Sequence, residues 1–373
     1  MIKILFVAPR LHTNQYSIIE SLIKSGKKIF FNSIYKGKIE NYNHIKPIIF
    51  KTSVISKILE NFFKPRDPKN LYFPKIIDYY FFFKKIQPDI VIIRTYGRFF
   101  PYLSAIFARI FRSKIIFYEQ APNDFSHLSK KNTINFFKKV EFLVRNYIFN
   151  SILITPLKYT NKFKKNCFYL PFAVNVEKKI RIKKIKKFKI LIISKFQERK
   201  SIYLALEVFK KLANKYNFRV SIVGEVSCFE HRSIYDKCHK FIASNKLEKK
   251  ITLYKNIDNK KIKNFYSRSN LFVLPAHSEP ASISILEALG YGLPVVCSDT
   301  CGTKCYLRPN FSQIFKSKDS YSLEKKIKFF LDSKEKYNFF SKNAHSFAKK
   351  NLSKENYSVL FEKLISNKLL WKN

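Results

Sequence analysis

The chain has 373 residues, 72 of them lysine or arginine against 26 aspartate or glutamate, giving a formal charge of +46. That length suits two domains with well-buried cores, and a hydrophobic content of 46% excludes disorder over most of it. Lysine or arginine interrupts every long apolar stretch, so no run reaches the ~20 residues of a membrane-spanning helix.

Two sources of the charge compete. One is a basic surface for an anionic membrane or nucleic acid. The other is compositional bias, because Lys, Ile, Asn, Phe and Tyr are abundant, Ala and Gly are scarce, and lysines are scattered along the whole chain. Bias is the main source, and it does not stop a surface from working electrostatically. No zinc-finger spacing or recognition helix points to specific nucleic-acid binding.

Residues 1–7 are too short for a signal-peptide core and lack a small-residue cleavage site behind them. They read as the start of a first β-strand, 2–8, which places the protein in the cytoplasm. A polar loop (9–14), a helix (16–24) closed by Gly26 and a short strand (28–32) follow. Residues 60–85 are aromatic and basic, with Phe62, Phe63, Tyr79, Tyr80 and Phe81 among lysines. Strands at 88–93 and 114–118 flank a helix at 99–112. The amphipathic, basic segment 135–149 reads as a core-packing helix; with 60–85 it is also a candidate for docking on an anionic bilayer.

A second series starts near Phe188, with strands at 188–194, 218–223, 251–254, 271–274 and 294–297 and helices between them, notably 202–214 and 262–267. Alternating strands and helices argue for parallel, helix-covered sheets. The expected fold is therefore α/β, with two doubly wound Rossmann-like domains facing a cleft and ligands at the carboxyl ends of the strands. The domains are read as 1–172, a lysine-rich linker at 173–187, 188–350, and a C-terminal helix within 351–373 packing back on the first domain. Six cysteines do not form a disulfide framework. Cys297, Cys301 and Cys305 are regularly spaced but lack the closer paired spacing of common zinc sites, and read as reduced thiols.

The most informative stretch is 277–296. It places Glu279 and Glu287 eight positions apart between a strand and the Pro294-Val295-Val296 strand entry. If the intervening segment is largely helical, the two carboxylates are about 12 Å apart along its axis. That gap suits a ligand with two hydroxylated ends and a charged middle, such as a nucleotide sugar. Upstream, Lys195 and Lys200 lie between a strand end and a helix start, where ammonium groups and backbone N–H groups can hold phosphate. Gly224 ends a strand where backbone can approach a ligand closely.

These residues resemble the retaining GT-B glycosyltransferases of family 4 (glycosyl transferases group 1): Lys195 to Ser201, Gly224-Glu225, and Glu279-x7-Glu287 followed by Gly292-Leu-Pro-Val-Val. The resemblance is specific over about 188–310 and diffuse before 170. It implies a hexosyl-type transferase (EC 2.4 class) that moves a sugar from a nucleotide-sugar donor to a surface-glycan acceptor. Lipopolysaccharide, capsule or a lipid-linked oligosaccharide are the acceptor classes. It further implies that Glu287 holds the ribose diol and Glu279 lies near the anomeric centre. Lys195 and Lys200 would neutralise the diphosphate, and the backbone at Ser282, Ile283 and Ser284 would contact it or the sugar. No cofactor is expected. Metal independence is expected too, since no Asp-x-Asp pair stands ready and lysines can take a metal's place.

The chain departs from the family in places. Ser194-Lys195 replaces Gly-Arg, so a point charge stands where a bidentate fork is usual. Pro280-Ala281-Ser282 replaces the usual Phe-Gly. No glycine-rich loop follows the first strand, and Tyr118-Glu119-Gln120 stands where a histidine often does. Glu119, His12 and Asn14 are the acceptor-side candidates. The expected setting is cytoplasmic, peripheral on the inner face of the plasma membrane. Rival readings are an epimerase-like GT-B enzyme and a non-catalytic basic protein bound to a membrane surface.

Overall fold

The computed structural model describes residues 1–35, 45–64, 71–94, 99–120, 144–157, 166–180 and 187–371. Residues 65–70 of the basic aromatic region, 135–143 of the amphipathic segment and 181–186 of the lysine-rich stretch fall outside the described residues. The chain divides into two compact units, 1–173 with 354–373, and 174–353.

The first unit carries a parallel seven-stranded sheet of order β3-β2-β1-β4-β5-β6-β7. Its strands are β1 (Lys3–Val7), β2 (Lys28–Ser33), β3 (Ile48–Ile49), β4 (Ile90–Arg94), β5 (Lys114–Tyr118), β6 (Ile152–Thr155) and β7 (Cys167–Tyr169). Its helices are α1 (Thr13–Lys24), α2 (Val54–Phe63), α3 (Ile76–Ile86) and α4 (Phe99–Ile110). β4 is buried along its whole length. This explains why Ile90-Val-Ile-Ile reads as a continuous apolar run: helices cover both faces of a parallel sheet.

The second unit has a parallel six-stranded sheet of order β10-β9-β8-β11-β12-β13. Its elements run β8 (Phe188–Ile193), α5 (Ile202–Ala213), β9 (Phe218–Gly224), α6 (Phe229–Ser244), β10 (Ile251–Lys255), α7 (Asn259–Arg268) and β11 (Leu271–Leu274). After them come α8 (Ile283–Gly290), β12 (Val295–Ser298), β13 (Ser312–Phe315), α9 (Ser320–Leu331) and α10 (Lys334–Asn351). Both units thus have the α/β, doubly wound architecture expected. Residues 174–180, inside the stretch read as linker, bond along this unit: Val174 N–H donates to Leu352 O at 2.9 Å and Glu177 N–H to Gly290 O at 3.0 Å.

The last helix, α11 (Lys354–Ser366), belongs to the first unit. Tyr357, Phe361 and Ile365 enter the apolar cluster of Ile4, Ile18 and Leu22. Lys354 pairs with Glu20 and Lys27 with Glu362 on the α1 side.

Helix α8 starts only at Ile283, so Glu279 and Glu287 do not share one helix. Pro280 disfavours helical backbone at Glu279, and Ser282 stands extended in front of the first turn. The axial separation expected of a continuous helix therefore does not apply.

Candidate functional site

In each sheet the order reverses direction at one point, between β1 and β4 and between β8 and β11. Loops leaving the carboxyl ends of such neighbouring strands part to opposite faces and leave a crevice there. In the second unit β8 leads into Lys195–Lys200, and β11 leads into His277–Glu279.

Beyond β8 the chain makes a short 3-10 turn, Glu198–Lys200, before Ser201 adopts a left-handed φ of +48° and α5 begins. The tight turn lets two consecutive cations converge. Arg199 Nη1 donates to Glu279 Oε2 at 2.6 Å, and Lys200 Nζ donates to the same oxygen. Glu279 is 6% exposed and Lys200 8%. Burial pushes the Glu279 carboxyl up, but Lys200 and Arg199 together outweigh it and hold the group below the usual carboxylate range. Lys200 is held below its ordinary value, first by burial, with Glu279 opposing. One buried carboxylate therefore stays ionised between two cations.

The loop that carries Glu279 is tied at several points. His277 N–H donates to Arg199 O at 2.8 Å, and the His277 ring lies 2.9 Å from Ser201 Oγ. Gly302 N–H donates to Glu279 O at 2.8 Å, and Ser282 N–H to Thr303 Oγ1 at 2.6 Å. Ser282 Oγ and Ser284 Oγ are 2.8 Å apart, and Ser284 Oγ donates to Ile193 O at 3.4 Å, seating the start of α8 on the end of β8. Thr303 thus occupies the Ser282 amide that the sequence reading reserved for a ligand. Ile283 and Ser284 remain at the first turn, where unsatisfied N–H groups point outward.

Glu287 lies about one turn along α8. Tyr266, from α7, donates to its Oε2 at 2.8 Å, and the Tyr266 ring stacks on Tyr291 with centroids 5.2 Å apart. Burial raises the Glu287 carboxyl to about 7, with the Tyr266 hydrogen bond opposing. Lys195 points elsewhere: its Nζ forms an ion pair with Glu225 Oε2 at 2.8 Å. Gly224 serves its own chain first, because a Cβ there would meet Ser194 O at 2.3 Å and the Phe196 ring at 2.7 Å. The sequence reading missed Arg199, Tyr266 and the His277–Ser201 pair. Arg199 was legible as the neighbour of Lys200, whereas Tyr266 carries no signal until α7 is placed against α8.

In the first unit the candidates separate. Asn14, at the start of α1, accepts from Arg94 Nη1 at 2.7 Å and donates to Gln120 Oε1 at 2.7 Å. Arg94 ends β4 and packs over the Tyr118 ring at 5.9 Å. Asn14, Arg94 and Gln120 so form a polar cluster at the switch point, with the last two unforeseen. His12 stands at the amino end of α1 with its N–H donating to Gln15 Oε1 at 3.2 Å. The Glu119 N–H donates to Ile154 O at 3.0 Å, continuing the ladder to β6. The bonds just described tie Asn14 to Arg94 and Gln120, and neither His12 nor Glu119 takes part in them.

Among the described residues no group of three His, Cys, Asp or Glu side chains could hold a metal ion. All six cysteines are unbridged, with Cys297 and Cys301 buried.

Residues 175–347 match the model of the family "Glycosyl transferases group 1". Protein CapJ of Staphylococcus aureus is 23% identical over 311 residues, covering 81% of this chain and 71% of its own. A glycosyltransferase from Rickettsia africae superposes with a TM-score of 0.74 at 17% identity, over 100% of this chain and 99% of the other. Anabaena Alr3699/HepE, solved with UDP-glucose, gives 0.74 at 12% identity over 98% and 100%. The fold is thereby that of the GT-B glycosyltransferases.

Proposed function

We propose that the chain transfers a sugar, with retention of anomeric configuration, from a nucleotide-sugar donor to a surface-glycan acceptor. The observation that carries this is the buried Glu279 carboxylate held by Lys200 and Arg199 at the switch point, with Glu287 following on α8. In this reading Lys200 and Arg199 exchange Glu279 for the donor's diphosphate and stabilise charge on the leaving group. Lys195 supplies a further cation when it swings from Glu225. Glu287 accepts from the ribose diol, Glu279 lies by the anomeric carbon, and Ser282, Ile283, Ser284 and Gly224 line the donor. Lys200 and Arg199 converge on Glu279 and could supply the charge of a divalent ion, which supports metal independence. The UDP-glucose bound to Alr3699/HepE favours uracil as the base. On the acceptor side we assign the Asn14 cluster first, then His12 and Glu119. The acceptor class, among lipopolysaccharide, capsule and lipid-linked oligosaccharide, follows from the family resemblance.

A donor screen with purified protein, scored by release of nucleoside diphosphate with and without glycan acceptors, tests the reading. Release from one UDP-sugar that requires acceptor supports it. Epimerised or hydrolysed donor without acceptor dependence, or no turnover across the panel, overturns it.

The cytoplasmic, peripheral-membrane setting draws support from α2 and α3. Among the described residues no helix is long and apolar enough to cross a membrane. Yet Ile58, Phe62, Phe63, Ile77 and Phe81 are all more than half exposed, with Lys57, Lys64, Lys84 and Lys85 beside them. Apolar side chains ringed by lysine suit an anionic bilayer surface. Flotation with anionic liposomes, lost in Phe62→Ser/Phe81→Ser, is the expected result; equal flotation of both proteins contradicts it.

A further inference from the structure

On one face of the second unit's sheet lies a groove that the transfer reading does not use. It is a cavity of about 640 Å³ between α7 and β8, β9 and β10, with Lys189, Arg219 and Ser221 from the amino-terminal halves of β8 and β9 and Tyr254 from further along β10. Lys189 and Lys195 are six residues apart, so the Lys189 end of the groove is about 20 Å from Lys195 along the chain.

The lining is unbalanced. Lys189, Arg219, Lys249, Lys250 and Arg268 face it against one acid, Glu248. Lys250 is committed to the backbone, donating to Tyr216 O at 2.9 Å. Lys189 and Arg219 are direct register partners on adjacent parallel strands. Their Cα atoms are therefore about 5 Å apart, and both side chains leave the same face into the same exposed groove. Among the described residues no carboxylate pairs with Lys189, Arg219 or Arg268. Chain-wide lysine bias scatters charge; it does not explain two cations side by side on inner strands, where like charges repel. Ser221 and Thr252, also register partners, add hydroxyls to the groove, and Tyr254 and Phe265 stack edge-on there at 4.9 Å.

We propose that this groove binds a phosphate-bearing saccharide chain, with Lys189, Arg219 and Arg268 on its phosphates and the hydroxyl and aromatic side chains on its sugars. Charge complementarity selects a multivalent anion, and the hydroxyl-lined concavity favours a single flexible saccharide strand over a flat bilayer or a duplex. The inference stands apart from the transfer site and survives if the proposed transfer fails.

The test is calorimetric titration of the full chain with phosphorylated maltohexaose, at physiological salt and saturating UDP. Binding is expected, with about tenfold or greater loss in Lys189→Ser/Arg219→Ser and little binding of unphosphorylated maltohexaose. Should that variant misfold by circular dichroism, Arg268→Gln on the exposed face of α7 is expected to weaken binding about threefold or more. The proposal is overturned by any of four results: no binding, equal binding by folded variants, equal binding of the unphosphorylated sugar, or stronger variant-sensitive binding of anionic vesicles or duplex RNA. UDP affinity in the Lys189→Ser/Arg219→Ser protein is expected within twofold of the parent; a larger drop would place these side chains in the donor site and also overturn it.

Discussion

Arg199 reaches the same Oε2 of Glu279 that Lys200 holds, at 2.6 Å, although Arg199 is still 42% exposed. A carboxylate shared by two cations is a stand-in for a bound anion, because it occupies the charges that a diphosphate needs. Donor binding in the proposed account is then an exchange of partners.

The first consequence concerns Glu279→Gln. The variant keeps the shape and releases both cations from a negative partner. Transfer is expected to fall about 10²-fold or more, while UDP binds as tightly as before or more tightly. Calorimetry with UDP beside a coupled turnover assay checks both; weaker UDP binding contradicts the exchange.

Arg199 and Lys200 should differ in what their loss does to stability. Lys200 is buried, so Lys200→Ala leaves the Glu279 carboxylate with only an exposed partner and is expected to cost about 3 kcal/mol. Arg199→Ala removes a largely exposed partner and should cost less than about 1 kcal/mol. Both should lose about tenfold or more in kcat/KM. Urea melts and steady-state rates on the two variants decide it.

Glu287 makes stability depend on pH. Its carboxyl titrates near 7 in the folded chain against an ordinary value of 4.5. Between those values the folded state holds a proton that the unfolded state has lost. The stabilisation is thus complete below about 4.5 and disappears as pH rises through about 7. Glu287→Gln lacks this loss, so its unfolding free energy should match the parent's below about pH 4.5 and exceed it above neutrality, by at most about 3 kcal/mol. Parallel melting curves across the pH range contradict the burial of Glu287.

Gly224 and Gly290 are held by backbone. A Cβ at either would stand 2.3 Å from a carbonyl oxygen, Ser194 O for Gly224 and Asn175 O for Gly290. Gly224→Ala and Gly290→Ala should each destabilise by about 2 kcal/mol or more, since neither oxygen is the tip of a flexible side chain. Thermal melts check this.

The sequence revealed β1, β2, β4 and β5 of the first sheet and β8 to β12 of the second, because parallel strands buried on two faces read as short apolar runs, whereas β3, β6, β7 and β13, each of two to four residues, were not read. Helix α6 was not singled out among the helices between the strands: Glu230, Arg232, Asp236, Lys237 and Lys240 break up its apolar pattern, and only His231, Cys238 and Ile242 are buried. The two motif acids and Lys200 were legible from spacing, and they do meet structural partners at the switch point. Pairings were not legible. Lys195 belongs to Glu225, Glu287 to Tyr266 and Asn14 to Arg94 and Gln120, and each pair is set by strand order or helix docking over separations that no local pattern records.

In the proposed function the acids of the second unit grip a nucleotide, and UDP titration into the parent chain and Glu287→Ala measures that grip most directly. The prediction is saturable binding to the parent and an affinity at least about tenfold lower in the folded variant. Absent binding, or equal affinity in both proteins, would contradict it.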